Sequence, residues 1–177
     1  MLLFSDRSLL TMVHGLVLSG GAMMAMAAAL FALQAMALPQ GTPVPGRQSR
    51  WLAWLTTGAA VLVWLSVLGG VYIVFPIYRA TPPEDVLSLA AYPRAFLLST
   101  PETRWLHAFG MEVKEHLPWV AAMLATAVAF VATRYRSTLL ADRTLRTMAV
   151  TLTTIAFALV LFVGLLGVFV NKIAPVE

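Results

Sequence analysis

Thr147–Val170 reads TMAVTLTTIAFALVLFVGLLGVFV, 24 residues without a charged side chain. At about 1.5 Å per residue a helix of that length crosses the roughly 30 Å hydrocarbon core of a bilayer. Helical hydrogen bonding is also what satisfies a backbone at that depth. The segment just before it, Arg134–Arg146, carries Arg134, Arg136, Arg143 and Arg146 against Asp142 alone. An uncharged run entered through a short arginine-rich loop is the pattern of a transmembrane helix whose start lies in the cytoplasm.

Three further apolar stretches lie upstream: Leu9–Leu38, Trp51–Tyr78 and Leu117–Thr133. The last reaches full spanning length if it extends backward through Trp105–Glu115. The reading is therefore an all-α integral membrane protein, one domain over residues 1–177, with spans at about 9–38, 51–78, 104–135 and 147–170. With 60% of residues hydrophobic and 11% charged, almost nothing is left for a soluble domain. Leu9–Leu38 has Ala35-Met36-Ala37 near its end, resembling a signal-peptidase site. The run is about twice the length of a signal core, however, and no basic cluster precedes it, so a retained helix is expected.

The Pro39–Arg50 connection holds Arg47 and Arg50 with no acid, so both candidate inner loops are basic. The positive-inside rule then gives an up-down-up-down four-helix transmembrane bundle in the plasma (inner) membrane. Both termini and the loop between helices 2 and 3 fall on the non-cytoplasmic side. The pI near 10 is accounted for by these loops, and no nucleic-acid partner is implied. The absence of cysteine excludes disulfides, thiolate ligands, iron–sulfur clusters and covalently attached c-type haem.

Pro39, Pro43 and Pro45 with Gly41 and Gly46 break the chain after helix 1, and Trp51 and Trp54 suit the interface at the start of helix 2. The longest connection, about Ala80–Thr103, is interrupted by Pro82, Pro83, Pro93 and Pro101. A short helical turn is expected over Glu84–Ala91, with Arg94–Leu98 lying on the bilayer surface. Thr100-Pro101-Glu102 reads as a helix start, with Thr at the cap, Pro in the first turn and an acid at the positive dipole end. From there one helix runs to Tyr135, and Pro118 is expected to kink it.

Polar chemistry in such a chain is confined to a few side chains. The only histidines are His14, His107 and His116, and imidazoles at membrane depth are expensive and usually functional. Helices 1 and 3 run in the same direction and sit diagonally in a bundle. His14 and His116 then lie at similar depth near the outer face, a geometry in which two imidazoles can clamp one flat cofactor. Small residues gather at the same level: Gly21 on the His14 stripe of helix 1, Gly69 and Gly70 on helix 2, and Gly164 and Gly167 on helix 4. Such residues make room for a haem or simply let helices pack closely. Arg79, Arg104 and Lys114 are candidate partners for the propionates. His107 is nine residues before His116, on the opposite helical face, and is read as interfacial.

Glu112 and His116, four apart, share a face. Glu112 either orients the imidazole or joins His116 and His14 as ligands of copper or zinc. Lys114 and Glu115 read as the solvated side of the helix start, and the methionine cluster Met23, Met24 and Met26 as packing. The small bundle with outer-side histidines is similar in architecture, and only in architecture, to the b-type cytochrome anchors of respiratory complexes. The expected function is a haem b protein or haem-bearing anchor subunit passing electrons at the outer face, with quinol, an outer-side electron carrier and other membrane subunits as partners. The competing expectations are a structural or assembly subunit that binds no cofactor, and a His/Glu metal site.

Overall fold

The computed structural model describes residues 5–174, and these are helical almost throughout, without a strand among them. Four long helices are each apolar and long enough to cross a membrane: α1 Asp6–Ala35, α2 Gly46–Tyr78, α4 Pro101–Arg134 and α5 Arg143–Ile173. A short helix, α3 Pro93–Leu98, sits in the connection between α2 and α4.

Local chemistry sets the ends. Ser5 caps α1 by accepting from the Ser8 amide at 3.1 Å, and Asp6 follows in the first turn. Asp142 caps α5 by accepting from the Leu145 amide at 3.0 Å. Thr100 occupies the cap position of α4 with extended backbone, but its hydroxyl bonds the Thr103 hydroxyl at 2.7 Å instead of a backbone amide. The second span starts a full turn before Trp51. Pro45 has no N–H to satisfy and presets the entry, so Gly46–Arg50 winds into helix although it lies outside the apolar run. Gly41 makes the preceding turn with a φ of 80°, a value suited to glycine.

The long helices close a ring in which α1 packs on α2 and α5, and α4 packs on α2 and α5. α1 and α4 are therefore diagonal. The centre is built from alanines, including Ala22, Ala59, Ala60, Ala121, Ala122, Ala125 and Ala156. Small side chains let backbones approach closely where lipid supplies no hydrophobic drive between helices. The core void among Met26, Thr56, Val128 and Thr153 is only about 10 Å³, room for about one water. Both threonine hydroxyls there donate to carbonyls of their own helices.

Each end of the bundle is closed by its own cluster. At one end Leu33, Leu52, Ala132 and Ala149 meet Leu139 and Leu140, which the arginine-bearing loop tucks inward. Leu38 N–H donates to Leu140 C=O at 2.9 Å, joining the two arginine loops. At the other end Tyr78, Leu106, Met111 and Val170 receive Leu97 of α3, which is fully buried. This differs from the expected loop. Glu84–Ala91 forms turns and bends, and the helix forms at Pro93–Leu98 because Pro93 presets its first turn and Leu97 finds a pocket on the bundle end.

Candidate functional site

Three of the long helices widen at the end opposite the arginine loops. π-helical turns occur at Val13–Ser19 of α1, Gly70–Val74 of α2 and Leu106–Met111 of α4, each containing one glycine. Such turns take an extra residue, re-aim side chains and frequently occur at functional sites. His14 and His107 each lie in one.

The His14 ring is half-buried between α1 and α2. A Cβ on Gly70 would stand 3.0 Å from its Cε1, and one on Gly69 would stand 3.9 Å from its Nδ1. The glycines of α2 are thus filled by the imidazole itself. Nδ1 is buried and has no hydrogen-bond partner among the described residues. The His14 carbonyl accepts from Ser19 Oγ at 3.0 Å, and Ser19 Oγ also meets Ser66 Oγ of α2 at 2.7 Å.

Lys114 forms the counterpart across the ring. Its Nζ lies 2.9 Å from where a Cβ on Gly167 of α5 would stand. The sequence placed Lys114 with Glu115 on a solvated side; the structure separates them, Lys114 turning toward α5 and Glu115 outward. The signal was present in the spacing. Gly110, Lys114, Ala121, Ala125, Ala129 and Ala132 fall three, four or seven apart on one helical face, and the alanines fix that face to the core.

That choice of face decides the fate of the expected histidine pair. His116 stands on the outer side of α4 with its side chain 73% exposed, its Nδ1 2.7 Å from the Glu112 carbonyl and 3.8 Å from the Glu112 carboxylate. His14 points inward on the diagonal helix, so the two imidazoles do not face one cavity. Nor do Glu112, His116 and His14 assemble; among the described residues no three His, Asp or Glu side chains gather as a metal-holding group. The ammonium of Lys114 lies against Gly167 of α5, whereas Arg79 extends over the Phe75 ring at 5.3 Å and Arg104 reaches the Leu98 carbonyl at 3.5 Å, both exposed. Gly21 packs against Leu62, 3.5 Å from its would-be Cβ.

His107, read from the sequence as interfacial, has a partner that spacing could not show. Its Nδ1 is 2.8 Å from the hydroxyl of Tyr78, a residue 4% exposed at the last turn of α2. The rings are tilted at 30° with centroids 6.0 Å apart. The end of the bundle thus concentrates two partly buried imidazoles, a buried phenol, a serine pair and an inward ammonium in a chain with very few polar side chains. The arrangement can bind an anion, donate an imidazole lone pair or pass protons. The chain matches no family model, no curated protein and no solved structure.

Proposed function

We propose that this chain is a small multi-pass subunit of a larger membrane assembly, oriented up-down-up-down in the plasma (inner) membrane. The arginine loops face the cytoplasm, and the termini and the α2–α4 connection face outward. On this reading its outer end serves electron transfer, with haem b as the cofactor and quinol or an outer carrier as the exchange partner. The observation that carries it is His14, an imidazole turned between α1 and α2 whose buried Nδ1 has no hydrogen-bond partner among the described residues; in its neutral form such a ring offers one nitrogen lone pair, which is what an axial position requires. The fit is partial. A void of about 10 Å³ in the core leaves no room for a porphyrin in the middle of the bundle, so the cofactor belongs at its edge beside the widened turns. His116 supplies a second ligand only from the outward face of α4, toward another chain.

A second reading, a structural subunit without cofactor, is favoured by the filling of Gly70 and Gly167 by His14 and Lys114. It treats the glycines as sockets that lock α1 to α2 and α4 to α5. A visible spectrum of protein produced with ample haem separates the two. The haem reading expects a Soret band that His14→Ala removes or shifts, and a colourless preparation leaves the structural reading.

A further inference from the structure

Lys114 is the unusual charge of this molecule. Basic side chains near span ends normally reach outward to water or headgroups. Lys114 turns instead into the α4–α5 interface over Gly167. Among the described residues it has no ion-pair partner, the one such contact being His116 with Glu112 on the outer face. No Asp or Glu carboxylate pairs with it among the described residues. An ammonium held without a counter-charge in a partly desolvated site is unfavourable, and an anion offsets that.

Depth indicates which anion. Lys114 is 20 residues before Arg134 at the other end of α4, which is about 30 Å of helix and so the thickness of the hydrocarbon core. If Arg134 marks one boundary, Lys114 marks the other, where lipid phosphates lie. An approach from the bilayer is available as well. Gly164, one turn along α5 from Gly167, has open space where a side chain would stand, and Leu161, Leu165 and Val168 beside it are exposed. A small residue flanked by apolar ones gives an acyl chain a bed below the ammonium.

We propose that Lys114 binds the phosphate of an anionic lipid whose acyl chain lies along the Gly167–Gly164 face of α5. This site does not depend on haem, because it rests on Lys114 and its readout is lipid retention.

The test uses the full chain purified in detergent and exposed to mixed phosphatidylglycerol and phosphatidylcholine, with bound lipid counted by native mass spectrometry. Wild type should retain phosphatidylglycerol over phosphatidylcholine on the order of tenfold, the factor that corresponds to about 1.4 kcal/mol. Lys114→Gln should lose the preference, Lys114→Arg should keep it, and Lys172→Gln, which removes a cation elsewhere, should leave it unchanged. If the Lys114 variants fail to fold, the wild-type selectivity still decides, since no preference overturns the proposal. Preference that survives in Lys114→Gln overturns it, as does full displacement of the lipid by millimolar inorganic phosphate, which would make the site one for free phosphate.

Discussion

Tyr78 and His107 are joined by a hydrogen bond of 2.8 Å between the phenol oxygen and Nδ1, linking the last turn of α2 to the widened turn of α4. The bond is formed beside Leu97, Leu106 and Met111, where water competes poorly for either group. A bond of this kind contributes about 0.5–1.5 kcal/mol. Tyr78→Phe and His107→Phe should each destabilise by about that amount, and the double variant by little more than either alone. A denaturation cycle in detergent measures the coupling. Additive losses would mean that the two side chains do not act as a pair.

The glycines give a graded expectation. Alanine in place of a mid-helix glycine gains up to about 1 kcal/mol of helix propensity. Gly58 and Gly164 have open space at the Cβ position, so Gly58→Ala and Gly164→Ala should be neutral or stabilising. At Gly70 the Cβ would press the His14 ring at 3.0 Å, a rigid group with little freedom to retreat, so Gly70→Ala should lose that gain and destabilise. At Gly167 the obstacle is the flexible end of Lys114, and Gly167→Ala should be cheap. Melting midpoints rank the four, and a Gly70→Ala protein as stable as Gly58→Ala would contradict the packing of His14.

The orientation is open to a direct chemical test because the chain has no cysteine. Gln40 and Ser88 are both exposed, one in the first arginine-bearing connection and one in the α2–α4 connection. Gln40→Cys should react with an impermeant maleimide only in inverted vesicles, and Ser88→Cys only in intact spheroplasts. Labelling of both from one side would overturn the proposed topology.

Leu97 attaches the long connection to the bundle. It is fully buried, and Thr103 Oγ1 donates to its carbonyl at 2.8 Å, holding α3 against α4. Leu97→Ala should cost about 2–5 kcal/mol of local docking and speed proteolysis within Ala80–Ser99. The four long helices should stay intact. Global unfolding instead of local release would show that α3 is part of the cooperative core.

For the proposed cofactor, His14→Ala and His116→Ala are expected to differ. His14 is the inward imidazole, and its loss should remove any haem held at the edge of α1. His116→Ala should matter only where a second chain meets the outer face of α4, so its effect should depend on oligomeric state. Absorbance measured on size-separated fractions tests this. A monomer bleached equally by both substitutions would place the two imidazoles on one iron.

The sequence by itself determined the four spans, the two arginine-bearing loops and the helix start at Thr100-Pro101-Glu102. Each of these follows from local sequence. It also marked the few polar residues worth following. Which way those residues turn was decided by tertiary structure. A helix face is defined only by what packs on it, and each widened turn adds a residue that rotates the following face by about 100°. The alanines of α4 took the core face, which carried Lys114 inward and left His116 outside. Tyr78 met His107 only because α2 and α4 are neighbours in the ring. The short helix formed at Pro93–Leu98, rather than at Glu84–Ala91, because a pocket for Leu97 exists only once the long helices have assembled.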